Sequence, residues 1–303
     1  MTPADLTAPD TAEPDTAEPD TTAPDTAASD PTSLASMTRA GEGFEQARFS
    51  TPVRVLHLGG PTAALDLAGL RILTDPTFDP PGDHPVGERV LVKLSGPALP
   101  LDELGHIDLI LLSHDQHPDN LDDAGRAALA EAGLVLSTPL AAQRIPGVRG
   151  LAPWESTELT TPAGSTLIVT AVPALHGPPG FEEVSGPVTG FVLTGDGLPT
   201  IYVSGDNASV DLVERIAERI PTVDVAVLFA GAARRPDRDE PLTLTAADAV
   251  LATRALGEPL VVAVHSEGWL HFTEGPGTLA RAFRQAGLAD RLRIPLAGVQ
   301  MTL

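Results

Sequence analysis

An α/β fold is predicted by two features of the sequence. Short apolar segments alternate along the chain with segments whose apolar residues recur at helical spacing. Several of the short segments are almost continuously apolar, which is typical of strands that are buried on both faces of a sheet. Together these features predict strands and helices in alternation, with helices covering the faces of the sheets.

The first half of the predicted domain begins with short strands joined by turns that contain glycine. These strands span residues 53–58, 63–67 and 70–73. A connection rich in proline and glycine follows over residues 76–100, and connections of this length without secondary structure are often functional. A buried strand is then predicted over residues 107–112, followed by an alanine-rich helix over residues 123–132.

The second half continues the alternation. Its predicted strands span residues 134–137, 166–172, 188–193, 200–203, 223–229, 260–264 and 292–296. Gly195-Asp196-Gly197 lies between two of these strands and predicts a hairpin turn. One helix is predicted after the N-cap residue Ser209, and another starts at Thr245, where Asp248 completes a capping box. A last helix is predicted over residues 278–286.

Residues 1–45 are predicted to form an acidic tail ahead of a single folded domain over residues 46–303. A five-residue unit containing proline and aspartate repeats over residues 8–32, without any large apolar side chain. Such a segment cannot bury enough apolar surface to offset the entropy lost on ordering. We therefore expect the tail to be disordered.

Charge and composition narrow the expected partners. The net charge is −22, of which residues 1–40 contribute −7 and the rest −15. This balance disfavours nucleic acids and anionic membranes as partners. The chain contains no cysteine, which excludes disulfides and thiolate metal ligands. Neither a signal peptide nor an apolar run long enough for membrane insertion is recognisable, so we expect a cytoplasmic protein that acts on a small molecule. The sequence does not indicate an oligomeric state.

The segment over residues 113–122 carries the densest group of potential metal ligands. It reads Ser-His-Asp-Gln-His-Pro-Asp-Asn-Leu-Asp and lies between a predicted strand and a predicted helix. Ligands of α/β proteins bind beyond the carboxyl ends of strands. Imidazole nitrogens and carboxylate oxygens, as in His114, His117 and Asp119, are donors that zinc accepts. The alternative is a polar loop in which an aspartate caps the helix.

Three later strand ends favour the metal site. His176, Asp206 and His265 each follow a separate predicted strand. The chain has eight histidines, and four of them lie at these strand ends or in the 113–122 segment. A single histidine after a strand is more often structural than a ligand, but several such strand ends in order predict one shared metal site.

The order of these residues resembles the metallo-β-lactamase superfamily of metal-dependent hydrolases. The most similar branch contains the ascorbate-6-phosphate lactonase-like and N-acyl-phosphatidylethanolamine phospholipase D-like hydrolases. The resemblance covers about residues 50–300 and includes Leu73-Thr74-Asp75-Pro76 and Tyr202-Val203-Ser204-Gly205-Asp206. It implies a four-layer αββα sandwich with two metal ions at one edge of the sheets.

The resemblance also implies the ligands. Those of the first ion would be His114, His117 and His176. Asp206 would bridge the two ions, and the second ion would contact Asp119, Asn120 and His265. This chain departs from the family pattern by one extra residue before His117 and by Asn120 in place of a histidine. An amide oxygen is a harder and weaker donor than imidazole, so we predict one or two Zn²⁺ ions, with Mn²⁺ or partial occupancy at the second position. Asp115 is an alternative oxygen ligand.

The predicted chemistry follows from the donors. A metal-bound water has its pKa lowered towards ~7, and Asp119 would act as the catalytic residue that orients this water or moves its proton. The predicted activity is hydrolysis of an ester-type bond, such as a phosphodiester or lactone, although an amide or thioester is also compatible. Two alternatives remain, a non-catalytic protein that binds a metal or metabolite and an iron-dependent oxidoreductase with the same ligands.

Several other polar residues have weaker predicted roles. Glu267, Trp269 and His271 are expected to line the substrate pocket, with packing of Trp269 and solvation of Glu267 as the alternative. His57 is expected to be structural, and His84 and His106 to lie on the surface. The loop that carries Arg234, Arg235 and Arg238 is expected to be a solvated, mixed-charge connection. Lys93 and Trp154 would reach the site only if the long loops fold over it.

Overall fold

The computed structural model describes residues 50–220 and 222–303. The tail predicted over residues 1–45 lies outside the described residues, so its disorder stays a prediction. None of the helices in the described part of the chain combines the length and the apolar character needed to cross a bilayer.

Two seven-stranded sheets form the centre of the domain. The first contains β1 (Val53–Gly59), β2 (Thr62–Leu67), β3 (Leu70–Thr74), β6 (Leu109–Leu111), β7 (Leu134–Ser137), β8 (Val148–Gly150) and β16 (Gln300–Thr302). The second contains β9 (Ser156–Thr160), β10 (Thr166–Ala174), β11 (Val188–Thr194), β12 (Ile201–Val203), β13 (Val225–Phe229), β14 (Leu260–Val264) and β15 (Leu292–Arg293). A separate hairpin is formed by β4 (Gly82–Val86) and β5 (Arg89–Lys93).

The spatial orders are β16-β1-β2-β3-β6-β7-β8 and β15-β14-β13-β12-β11-β10-β9. In each sheet an antiparallel part continues into a parallel part, at β3–β6 and at β12–β13. The helices are α1 (Asp123–Glu131), α2 (Pro139–Arg144), α3 (Glu182–Ser185), α4 (Val210–Arg219), α5 (Ala246–Ala255) and α6 (Pro276–Gln285), and a 3₁₀ turn spans Leu101–Leu104.

Apolar clusters between the layers show the four-layer αββα sandwich. The central cluster joins residues of both sheets, for example Leu65 and Val227. A second cluster packs α4, α5 and α6 on the outer face of the second sheet, and a third packs α1 on the outer face of the first. In β13, Val227 lies in the central cluster while its neighbours Ala226 and Leu228 pack towards the helices. This period-two alternation explains why the central strands are apolar throughout.

Most predicted elements are present, and the errors lie in the loops and at the end of the chain. The connection over residues 76–100 contains the β4–β5 hairpin, so it is not structureless, and the 3₁₀ turn follows it directly. The strand predicted over residues 292–296 is limited to Leu292–Arg293, and β16 closes the chain by pairing with β1. The short elements β8, β9, α2 and α3 were not predicted from the sequence pattern.

The strand directions bring the predicted ligands to one edge of the sandwich. β12, β13 and β14 are parallel, and β10 runs in the same direction as β12 because both are antiparallel to β11. His176, Asp206 and His265 follow β10, β12 and β14 at this edge. The backbone N–H of Thr189 in β11 donates to the carbonyl oxygen of Ser113 at 3.0 Å, which joins the segment after β6 to the second sheet.

Candidate metal centre

Three imidazoles converge in the first of two neighbouring clusters. The Nδ1 atom of His117 lies 2.9 Å from Nε2 of His114 and 3.2 Å from Nε2 of His176. All three side chains are buried. Burial lowers the pKa of His114 well below its usual range and the pKa of His117 to about 4, with the neighbouring imidazoles adding to the effect. Both rings are therefore neutral at pH 7, which is the state that binds a metal ion.

Hydrogen bonds on the far side of two rings fix which nitrogen faces the cluster. His176 donates from Nδ1 to the carbonyl oxygen of Leu242 at 2.8 Å. His114 places Nδ1 at 2.9 Å from Oγ of Ser113, and this hydroxyl donates to Asp75 at 2.6 Å. The Nε2 atoms of both rings are thus left as acceptors that point into the cluster. Such partners orient metal-binding histidines and set their tautomers.

Two carboxylates and an imidazole form the second cluster. Nδ1 of His265 lies 2.9 Å from Oδ1 of Asp206, and its Nε2 lies 3.4 Å from Oδ2 of Asp119. His271 was expected only to line the pocket, but its Nε2 lies 3.0 Å from the same oxygen of Asp119. Asp119, Asp206 and His265 each offer one ligand atom, and these atoms lie within 4.8 Å of one another. The three imidazoles of the first cluster satisfy the same distance.

The electrostatics of the second cluster show two buried negative charges held by imidazoles. Burial disfavours the charged form of His265, but Asp206 and Asp119 outweigh this effect and raise its pKa to about 10. Burial likewise favours neutral carboxyls, but His271 and His265 hold the pKa of Asp119 well below its usual range. His265 and His176 lower the pKa of Asp206 in the same way. Both carboxylates are therefore ionised at pH 7.

Buried polar atoms without hydrogen-bond partners support a cation at this position. Among the described residues they include Oδ2 of Asp206 and both ring nitrogens of His265, which lie near the carboxylates of Asp206 and Asp119 but without hydrogen-bond geometry. Unpartnered buried polar atoms are costly and call for an explanation. His265 also has a φ of 55°, a strained conformation for a residue other than glycine, and such strain concentrates at functional sites. A divalent cation would satisfy these donors, so the residues present fit a metal centre.

Asn120 lies beside the second cluster but uses its amide nitrogen there. Nδ2 donates to Asp75 at 2.9 Å and to Asp206 at 3.1 Å. Its Oδ1 is buried without a hydrogen-bond partner among the described residues. Ligation of a second ion by Asn120 stays a prediction. No role was predicted for Asp75 from the sequence. Its carboxyl group accepts hydrogen bonds from both Ser113 and Asn120. Burial raises the pKa of this group to about 7.

Asp115 is turned away from both clusters. Its carboxylate pairs with Arg144, with Oδ2 at 2.8 Å from Nε and a second contact between Oδ1 and Nη2. The alternative of Asp115 as an oxygen ligand is therefore wrong, because Arg144 holds its carboxylate outside the cluster.

The neighbouring Gln116 packs its side chain against Gly186, where a Cβ atom would lie 2.1 Å from Nε2 of Gln116.

Asp122 is the aspartate that caps the helix. It accepts hydrogen bonds from the backbone N–H of Gly125, Phe78 and Asp79 at 2.8–2.9 Å and from Nζ of Lys93 at 2.8 Å. The alternative interpretation, in which an aspartate of the 113–122 segment caps the helix, is thus confirmed for Asp122. Lys93 does fold over the segment, but it contacts this cap and not the clusters.

The other predicted pocket residues occupy different environments. Trp269 is only 2% exposed and packs between Lys93, whose Nζ lies 5.4 Å from the ring, and His84 at 5.2 Å. Glu267 is exposed at 45% of its side chain, and its Oε1 lies 3.7 Å from Nδ1 of the buried His57. These positions match packing of Trp269 and solvation of Glu267, and a contact of either with substrate stays a prediction.

His84, His106 and Trp154 lie in three different environments. His84 is partly exposed, at 16% of its side chain, and the β4–β5 hairpin turns its ring against Trp269. His106 is exposed as predicted, at 69% of its side chain. Trp154 packs under Arg219 on the outer face of the second sheet, and no contact joins it to the clusters among the described residues.

The sequence model of the β-lactamase superfamily domain matches residues 70–266 of this chain. With the αββα sandwich and the two clusters at its edge, this match places the chain in the metallo-β-lactamase superfamily. Among curated proteins, no match to this chain was found.

Solved structures of low sequence identity share the fold. An isothiocyanate hydrolase from gut bacteria of Delia radicum is 23% identical, with a TM-score of 0.69 over 82% of this chain and 98% of that one. A possible metal-dependent hydrolase from Veillonella parvula is 17% identical, with a TM-score of 0.71 over 84% of this chain and 100% of that one. The diiron β-hydroxylase CmlA from Streptomyces venezuelae is 18% identical, with a TM-score of 0.57 over 85% of this chain and 54% of that one. At these identities the likeness concerns the fold alone.

Proposed function

We propose that this protein is a metal-dependent hydrolase that cleaves an ester-type bond of a small molecule, such as a phosphodiester or a lactone. The observation that carries the proposal is the pair of adjacent buried clusters, one of three imidazoles and one of two carboxylates and an imidazole. When bound there, divalent ions supply Lewis acidity towards a substrate oxygen and lower the pKa of water.

The donor sets favour different ions. Three imidazole nitrogens suit Zn²⁺ at the first cluster. The second cluster offers two carboxylates, which are harder donors and also accept Mn²⁺. The absence of cysteine removes the soft ligands that would restrict the choice further.

Asp119 is the residue best placed to handle a proton. It is ionised at pH 7, and its Oδ2 is held by His271 at 3.0 Å with His265 at 3.4 Å. Oδ2 of Asp119 therefore lies between His265 of the second cluster and His271, and both residues follow β14. A carboxylate in this position is suited to orient the attacking water and to accept its proton. His271 acts by positioning Asp119.

The experiment compares hydrolysis before and after removal of metal. The protein is treated with a chelator, dialysed and reloaded with Zn²⁺ or Mn²⁺. It is then assayed with bis(4-nitrophenyl) phosphate, 4-nitrophenyl acetate and an aliphatic lactone. Activity on at least one substrate should require the metal and should be lost in His117→Ala. His106→Ala is the matched control, because it removes an exposed imidazole. Metal binding without turnover of any substrate class would favour the non-catalytic alternative.

An iron-dependent oxidoreductase is the second candidate. It is supported by the two carboxylates of the second cluster, since iron accepts mixed imidazole and carboxylate ligands, and by the diiron β-hydroxylase among proteins of the same fold. Iron in the protein isolated aerobically, together with oxygen consumption in the presence of a reductant, would support this candidate over hydrolysis.

A further inference from the structure

The β4–β5 hairpin turns one of its faces towards the domain. Side chains alternate between the faces of a strand, so Arg89, Leu91 and Lys93 of β5 share one face. Lys93 on this face reaches the buried carboxylate of Asp122. His84, which is paired with Leu91, packs against Trp269. The face that carries Arg89 is therefore the face turned towards the domain.

A cavity of about 380 Å³ lies under the end of this hairpin. Its walls combine the hairpin residues Arg89 and Val86 with His117 of the first cluster, Val184 of α3 and Arg235. Cavities of this size hold small-molecule ligands. Because His117 is part of its wall, a molecule in the cavity would lie next to the metal centre.

The two arginines of the cavity differ in their partners. Arg235 is paired with Asp237, at 2.8 and 2.9 Å between guanidinium nitrogens and carboxylate oxygens. Arg89 has no carboxylate within ion-pair distance among residues 50–220 and 222–303, and Glu88, the one carboxylate in the wall, is exposed at the rim. Burial and the charge of Arg235 lower the pKa of the Arg89 guanidinium. Arg89 is therefore a guanidinium in the cavity wall without a carboxylate partner among the described residues, and it is available to an anionic ligand.

We propose that Arg89 binds an anionic group of the substrate, a carboxylate or a phosphate, while the bond to be cleaved lies beside His117. This inference rests on the proposed hydrolase function, since it assigns a substrate class to the same centre. A planar guanidinium binds either anion through paired hydrogen bonds. Gln116 contributes an amide to the same wall, and Val86 and Val184 leave room for the apolar part of the molecule.

The test measures binding and does not depend on turnover. Three hydroxamic acids share a metal-binding head and differ at the other end. Butanohydroxamic acid is neutral, succinohydroxamic acid carries a carboxylate, and phosphonoacetohydroxamic acid carries a phosphonate. Their dissociation constants are measured by calorimetry on the zinc-loaded full chain. At least one charged probe should bind about tenfold or more tightly than the neutral probe, and the better of the two identifies the preferred anion.

Variants assign the preference to Arg89. Arg89→Gln should reduce the affinity for the charged probe to that for the neutral probe. Arg215→Gln, which removes an exposed positive charge on α4, should keep the preference. Equal affinities in the wild-type protein, or a preference that survives in Arg89→Gln, would overturn the assignment. Failure of the metal centre has a different signature, because the neutral probe then does not bind while the charged probes still report on Arg89. Binding of none of the probes would overturn both proposals.

Discussion

The buried pair of Lys93 and Asp122 links the hairpin to the segment over residues 113–122, and its removal should be costly. Lys93 is the only lysine of the chain and is 4% exposed, while the Asp122 side chain is fully buried. Asp122→Asn keeps the shape of the side chain but replaces the carboxylate opposite the Lys93 ammonium group by a neutral amide. The substitution leaves Lys93 as an unpaired buried cation and loses one of the acceptors that hold Phe78 and Asp79.

The loss of unfolding free energy depends on whether the variant leaves the Lys93 ammonium group or the Asp122 carboxylate without its partner. An unpaired buried charge costs about 3–5 kcal/mol, so we expect Asp122→Asn to lower the free energy of unfolding by that amount. Lys93→Met leaves a carboxylate that still accepts three backbone hydrogen bonds, and its cost should be smaller, about 1–2 kcal/mol. The double variant contains no unpaired charge. It should be more stable than the sum of the two losses predicts, with a coupling of about 2 kcal/mol.

Urea unfolding of the four proteins, followed by circular dichroism with metal saturating, gives these free energies. Asp237→Asn is the control, because its carboxylate is exposed and its loss should leave the unfolding midpoint unchanged. Additive losses in the double variant, or a cost for Lys93→Met that exceeds the cost for Asp122→Asn, would refute the assignment of the penalty to the unpaired ammonium group.

Three other predictions concern the metal centre. In chelator-treated protein, stability should fall between pH 6.5 and about 4, by on the order of 3 kcal/mol, because folding keeps His117 neutral while the unfolded chain protonates it. It should also fall as the pH rises from 6.5 towards 10, because folded His265 keeps a proton that the unfolded chain has lost, so urea unfolding across this range should show a maximum near pH 6.5. His271→Phe should retain metal but lower kcat by about tenfold, since Asp119 loses a positioning partner; an unchanged kcat with full metal content would count against this role. Asn120→His should raise the zinc content per chain after equal loading and gel filtration, and an unchanged content in a folded variant would show that residue 120 does not face an ion.

The convergence of the candidate ligands could be predicted from the sequence because each follows a strongly apolar strand. The strands fix the edge of the sheets, and His114, His176, Asp206 and His265 lie one to three residues beyond them. Local sequence was also sufficient for α5, where Thr245 and Asp248 form the predicted capping box.

Features that depend on tertiary contacts could not be predicted in this way. The β4–β5 hairpin has an exposed, proline-containing strand, and it is held by the contact of Lys93 with Asp122 and by a hydrogen bond from Leu94 N to Gly268 O at 2.8 Å. The orientation of Asp115 depends on Arg144, which is 29 residues away in the chain. Period and propensity carry no information on such distant pairs.

The number of divalent ions per chain tests the central claim most directly. Wild-type protein, His117→Ala and His106→Ala are expressed in medium supplemented with Zn²⁺, gel-filtered and subjected to elemental analysis. The two clusters predict between one and two ions per chain for the wild type and for His106→Ala, and a clear loss for His117→Ala. Wild-type protein without bound metal, or a folded His117→Ala variant with the same metal content as the wild type, would contradict the assignment of these residues as a metal centre.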